Sequence, residues 1–198
     1  MFVTGLVLAA GASSRLGQPK QLLAYQGTTV LGATLDMARS CGFDQLLVTV
    51  GGAAVEVRHG VDFRDCEVVE NNQFTTGCSS SLAAAVAVVD HRANGIVLLL
   101  GDQPDVSTAA VTTLIEGAEI APLGLCRYGD GLGHPFWFGR QVFGDLRDLH
   151  GDKAVWKLLE SGRYRVHEVE VAGNIPLDVD TWEDYQALLI AAGGRSEE

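Results

Sequence analysis

The stretch GIVLLLGD, residues 95–102, decides the fold. Five aliphatic side chains follow one another with no polar residue between them, so the segment has no wet face. That is the pattern of a strand covered on both sides in a parallel sheet. Its length suits a strand better than a helix, and Gly101-Asp102 punctuates its end. Working outward, VTGLVLA (3–9) is a similar run stopped by Gly11, and QLLVTV (45–50) is a third. Helical spacing predicts a helix over 28–40, opened by Thr28 or Thr29 and closed by Gly42. A short helix near 53–59, a strand near 66–70 and a helix over 79–92, apolar nearly all round and so well buried, come next. A helix at about 107–119 and a strand at 121–126 follow the central strand. From 132 the character changes. GLGHPFWF reads as a loop punctuated by Gly and Pro, with helices near 140–148 and 152–161 after it. An alternating strand at 164–171, a short strand in PLDVD (176–180) and a helix from Thr181 complete the chain. Repeated βα units in 198 residues predict one doubly wound α/β domain over 1–198, and the later hairpin-like strands make its sheet mixed.

Fourteen Lys and Arg stand against 25 Asp and Glu, a net charge of −11. A duplex or single strand needs a basic field, so nucleic acid is excluded as a partner. The acids are unevenly placed: the first is Asp36, and residues 1–35 carry only Arg15 and Lys20. That opening is therefore +2 while the rest of the chain is −13, which marks the N-terminal region as a place to receive an anion. The opening MFVTGLVLAAGASSR resembles a secretory leader only superficially, because its cations follow the apolar run instead of preceding it. No run approaches the roughly 20 apolar residues of a membrane span. Cys41, Cys66, Cys78 and Cys126 have neither CxxC spacing nor partner histidines, which argues against structural zinc and disulfides and for a cytoplasmic setting.

Ligands of such sheets bind outside the carboxyl ends of the strands, and three loops stand out there. In LAAGASSRLGQPKQLL (8–23), Gly11 and Gly17 let backbone amides approach an anion. Ser13 and Ser14 add donors, and Arg15 and Lys20 add charge. This is neither a GxxxxGK[ST] loop nor a GxGxxG turn. In GDQPD (101–105), Asp102 follows the most apolar strand. A carboxylate beside phosphates calls for a divalent cation between them, and Mg²⁺ is commonly held by one or two carboxylates plus phosphate oxygens. Asp105, close to a helix start, reads as a cap. In PLDVDTWEDY, Asp178 and Asp180 alternate, so only one of them shares a cation with Asp102.

These residues resemble the MobA-like nucleotidyltransferase superfamily, and within it the molybdenum-cofactor cytidylyltransferases. The opening matches a family pattern of roughly LAAGxSxRMGxxKxLL, with Leu16 in place of the methionine. Gly101-Asp102, Gly133-His134-Pro135, Gly151-Asp152-Lys153 and DVDT at 178–181 extend the likeness over nearly the whole chain. The resemblance implies a Rossmann-like three-layer sandwich of the nucleotide-diphospho-sugar transferase type, and transfer of a nucleoside monophosphate to a phosphorylated acceptor. Leu8, Ala9, Ala10, Gly11, Ala12, Ser13, Ser14, Arg15 and Lys20 would wrap the triphosphate, and Asp102 and Asp180 would hold Mg²⁺. Ala10 stands where the guanylyltransferase branch has a second glycine, which leans the base toward CTP. TTGCSSSL (75–82) resembles a family GxxxSL segment lying on the nucleotide, making Gly77 and Ser80 or Ser81 candidates. Asn71-Asn72-Gln73-Phe74 matches no family pattern.

The resemblance further implies a molybdopterin-type acceptor, with a molybdoenzyme as eventual recipient. Its pocket would come from 128–157, where His134, Trp137 and Lys153 stack on or pair with it. The alternatives for these three are a plain core position for Trp137 and a solvated helix position for Lys153. Two other readings remain open at this point: the same chemistry on a sugar phosphate or another phosphorylated cofactor, and a nucleotide-binding chaperone that delivers a cofactor. Both carboxylates that would hold a metal are present, which favours catalysis over delivery.

Overall fold

A computed structural model describes residues 1–151 and 153–194; Asp152, expected within the Gly151-Asp152-Lys153 segment, and residues 195–198 lie outside it. In chain order the strands and helices are β1 (Val3–Leu8), β2 (Ala24–Tyr25), β3 (Thr28–Thr29), α1 (Val30–Ser40), β4 (Gln45–Val50) and α2 (Ala54–Gly60). Then come β5 (Glu67–Glu70), α3 (Cys78–Val86), β6 (Gly95–Leu100), α4 (Thr108–Glu116), β7 (Leu123–Tyr128) and β8 (Gly131–Gly139). The chain closes with α5 (Phe143–Arg147), α6 (Ala154–Glu160), β9 (Val166–Glu170) and α7 (Trp182–Gly194).

The main sheet has the order β5-β4-β1-β6-β8-β7-β9. β5, β4, β1 and β6 run parallel, β8 runs against both of its neighbours, and β7 and β9 again follow the common direction. This is the expected doubly wound, mostly parallel α/β sheet. The apolar run of β6 sits between its two layers. Val97 and Leu99 face a core shared with Leu35 of α1 and Val111 of α4. Ile96 and Leu98 face the opposite core with Leu82 of α3, Leu146 of α5 and Leu158 of α6. All four strand residues are at most 1% exposed, so the absence of polar alternation is explained by burial on both faces. Helix α1 begins at Thr29, whose hydroxyl accepts the Gly32 N–H at 3.0 Å, and Gly42 ends the segment with φ of +69°.

Three local expectations are corrected. The segment 131–139 is not a loop but β8, wedged between β6 and β7. Its proline is tolerated because the register against β7 jumps from Leu125↔Phe136 to Cys126↔Gly133, leaving His134 and Pro135 outside the ladder where a missing N–H costs nothing. The segment 176–180 is not a strand. Pro176 has no N–H to donate to a ladder, and the side chains of Asp178 and Asp180 bond elsewhere in the fold. Helix α3 also stops at Val86, short of the expected 92.

No helix among the described residues is long and apolar enough to cross a membrane. Helix α7 packs apart from both sheet faces, in a cluster where Leu188 and Val179 meet Leu16, Leu23, Tyr25 and Val30. The C-terminal segment is thereby laid against the loop that follows β1.

Candidate functional site

The loop after β1 is shaped mostly by its own side chains. Ser13 adopts φ of +52°, and its hydroxyl accepts the Lys20 N–H at 2.9 Å, closing residues 13–20 into a compact turn. Gln21, only 3% exposed, donates to the carbonyls of Ala9 (2.7 Å) and Gly11 (3.1 Å). Beneath the loop, the backbone of Gly51 comes so close that a Cβ there would lie 2.7 Å from the Ala10 carbonyl. The loop is thus fixed before any ligand arrives, with Gly11 and Ala12 exposed at its crest.

Against it stands Asp102, delivered by the end of β6, and Asp180, delivered by the segment before α7. The Lys20 ammonium joins them: it donates to Asp102 Oδ2 in a short contact and to Asp180 Oδ1 at 2.8 Å. Burial on its own would lower the lysine pKa, but the two carboxylates outweigh it and hold the group above its ordinary value. Arg15 reaches Asp180 Oδ2 at 3.5 Å from a largely exposed position. Asp178 lies behind this group, accepting from the Gln103 amide, which also donates to the Pro176 carbonyl at 3.1 Å. Burial, reinforced by Asp102, pushes the Asp178 carboxyl up to about 6. Of the two alternating acids, Asp180 is the one that meets Asp102 at the Lys20 ammonium.

Asp102 and Asp180 direct hard carboxylate oxygens at one point, the chemistry that Mg²⁺ or Mn²⁺ accepts. Among the described residues no three His, Cys, Asp or Glu side chains form a metal cage on their own. Two carboxylates with room for phosphate oxygens and water fit a metal that arrives with a nucleotide.

A cleft of about 580 Å³ opens between this group and the start of α3. Leu8, Ala9, Ala10, Gly11, Ala12, Ser14, Lys20, Gly77, Ser81 and Asp102 line it, bringing together most of the positions expected on a nucleotide. Ser13 and Arg15 stand outside the lining, the first because its hydroxyl serves the loop itself. Ser80 lines a neighbouring cleft instead, with its hydroxyl donating toward Gln73 and Gly77 carbonyls. Sequence reasoning missed Gln21, Phe74 and Thr76 on the cleft wall and, beneath it, Asn71. Asn71 is 5% exposed, and its amide donates to Ser80 Oγ (2.8 Å) and Ser81 Oγ (2.9 Å). Its neighbourhood matched no pattern, and nothing local in the sequence advertises a bond ten residues away.

The three residues expected to meet an acceptor are not gathered at the cleft. Trp137 is a core residue, 2% exposed and packed on Gly95 and Gly124, so an acceptor role for it is corrected. His134 lies in β8 with its ring 4.0 Å from that of Phe136, and burial pushes its imidazole down to about 3, leaving it neutral. Lys153 is exposed just ahead of α6.

Rv0371c from Mycobacterium tuberculosis is 56% identical, with a TM-score of 0.90 over 95% of this chain and 97% of that one. A second structure of Rv0371c, in complex with manganese, has a TM-score of 0.86 at 53% identity over 96% of this chain and 100% of that one. Purine catabolism protein PucB of Bacillus subtilis is 28% identical over 203 residues, 94% of this chain and 96% of that protein. Nicotine blue oxidoreductase of Paenarthrobacter nicotinovorans is 34% identical over 114 residues, 57% of this chain and 55% of its own length, so that match spans about half of the relative. The family model for the MobA-like NTP transferase domain matches residues 5–169, and with that span of 198 residues the chain belongs to the MobA-like NTP transferase family.

Proposed function

We propose that the chain is a divalent-cation-dependent cytidylyltransferase, moving CMP from CTP to the terminal phosphate of a molybdopterin-type acceptor and releasing pyrophosphate. Its setting is the cytoplasm, and its product passes to a molybdoenzyme. The convergence of Lys20, Asp102 and Asp180 beside the amides of the first loop is the observation that carries this reading.

In the reaction an acceptor phosphate oxygen forms a bond to the α-phosphorus of CTP as the bond from that phosphorus to the β-phosphate bridging oxygen breaks. The phosphate is already a nucleophile, so no Ser, Cys or His has to be activated, and the protein's task is positioning and charge compensation. Gly11 and Ala12 offer amides to the triphosphate, and Ser14 adds a hydroxyl. Lys20 exchanges its carboxylate partners for phosphate oxygens and follows the charge that develops on pyrophosphate; Arg15 swings from Asp180 to the same end. Asp102 and Asp180, released from Lys20, would hold the cation. When bound, Mg²⁺ neutralises and aligns the phosphates. The manganese complex of the similar Rv0371c supports the use of a divalent cation. Ala10 and the small residues beside it leave the base room against the start of α3, consistent with the lean toward a cytosine.

Pyrophosphate release tests the proposal, with Mg²⁺ and each of CTP, GTP, ATP and UTP, with and without molybdopterin. Release that needs both CTP and molybdopterin is the expected result. Release with CTP and a sugar phosphate moves the acceptor, and no release with any pair overturns catalysis in favour of a nucleotide-binding delivery protein.

A further inference from the structure

A second cleft of about 440 Å³ adjoins the first, and Thr76 lines both. The two are also tied together underneath: Asn71 holds Ser81, on the nucleotide cleft, and Ser80, on the second, through one amide group. The far wall of the second cleft is the last residue of α5, Arg147, and the segment after it, where His150 lines the cleft together with Leu149 and Gly151. Among the described residues neither Arg147 nor His150 has a side-chain hydrogen-bond or ion-pair partner, although acids outnumber bases 25 to 14 in the chain. The adjacent acid, Asp148, does not line this cleft but a third one, which His150 and Leu149 also border.

Nucleotidyl transfer sets an unusual demand. Two phosphorylated ligands must lie side by side, and their charges repel unless each has its own cations. Lys20 and Arg15 are committed to the triphosphate in the reading above. The acceptor phosphate needs a second cationic group reached from the same rim, and a planar guanidinium with an imidazole N–H suits a phosphate's geometry. The volume falls within the range of small-molecule sites and leaves space for an organic ring beyond the phosphate.

We propose that the cleft between α3 and residues 147–151 binds the phosphomonoester end of the acceptor, with Arg147 and His150 as its anchoring residues. This rests on the nucleotidyltransferase reading and supplies the acceptor contacts that His134 and Trp137 do not make.

The test is a titration of inorganic phosphate into protein saturated with Mg²⁺ and a non-hydrolysable CTP analogue, read at the His150 ring resonances by NMR. A saturable shift is expected, weakened about ten-fold or more in Arg147→Ala and restored toward wild type in Arg147→Lys. Affinity for the CTP analogue should stay within about two-fold, since Arg147 does not line the nucleotide cleft. In the transfer assay Arg147→Ala should raise the KM for the acceptor by a similar factor and leave the KM for CTP alone. A His150 ring that ignores phosphate, or an equal response in wild type and Arg147→Ala, overturns the assignment. Should the CTP analogue fail to bind, the nucleotide reading falls, while the same Arg147-dependent titration on the free protein still decides the second cleft.

Discussion

Gln21 shows how much of the site rests on single hydrogen bonds. Its buried amide spans the point where β1 ends and the loop departs, bonding the carbonyls of Ala9 and Gly11. Gln21→Leu keeps the volume and leaves both carbonyls without a partner. It should lose about 1–3 kcal/mol in denaturant unfolding and bind CTP more weakly than wild type. Lys20→Ala removes the group that ties Asp102 to Asp180, and turnover should fall about 100-fold or more while the circular dichroism spectrum is unchanged. Turnover within a few-fold of wild type would take Lys20 out of the reaction. His134 supplies a pH test. Its imidazole is held near 3 in the fold against about 6.5 unfolded. The unfolded chain therefore binds more protons between those values, and stability falls as pH drops through that window. Relative to His134→Gln, the wild type should lose up to about 3 kcal/mol between pH 7 and pH 4, and parallel stability curves would refute it. Arg15, Lys20, Asp102 and Asp180 were legible in sequence because each sits at a strand end or a loop of recognisable spacing. Gln21 and Asn71 were not, because their partners are backbone and hydroxyl groups that only folding brings near.

At the scale of elements, the central strand was readable because burial on both faces leaves a plain mark, an unbroken aliphatic run. Strand β8 was not, because its Gly and Pro residues look like loop punctuation. They serve packing instead: Pro135 occupies the register jump, and Gly133 leaves room for Ile175, which an added Cβ would approach to 3.0 Å. Trp137 lies across Gly95 of β6, where an added Cβ would fall 2.1 Å from the ring. Gly95→Ala should therefore destabilise by about 1–3 kcal/mol, read as a fall in the denaturant midpoint, without touching the cleft residues. An unchanged midpoint would mean that the β6–β8 contact gives way easily. Residues 176–180 failed as a strand for the opposite reason. Alternation alone suggested pairing, yet Asp178 and Asp180 spend their side chains on Gln103 and Lys20, which lie on other strands' loops.

Across the whole molecule, the site is assembled from chain segments far apart, and α7 is what brings the last of them in. Leu188 is fully buried against Leu16, Tyr25 and Val30, and the Tyr185 hydroxyl donates to the Ala24 carbonyl at 2.7 Å. Leu188→Ala should lose about 2–5 kcal/mol of stability. It should also weaken Mn²⁺ binding in the presence of CTP, because Asp180 rides on the same segment; a destabilised variant with intact Mn²⁺ affinity would separate the two. Net charge says little about this site. A total of −11 is screened beyond roughly 8–10 Å, while the acid-free first 35 residues place Arg15 and Lys20 at its entrance. The carboxylates that do approach are few, and their proposed task is to hold a divalent cation on the nucleotide. That task is tested most directly by pyrophosphate release from CTP and molybdopterin across a Mg²⁺ titration, wild type beside Asp102→Asn. Saturable, Mg²⁺-dependent release is expected of the wild type, with a loss of about 100-fold or more in a correctly folded variant. An unchanged Mg²⁺ dependence in Asp102→Asn would contradict it.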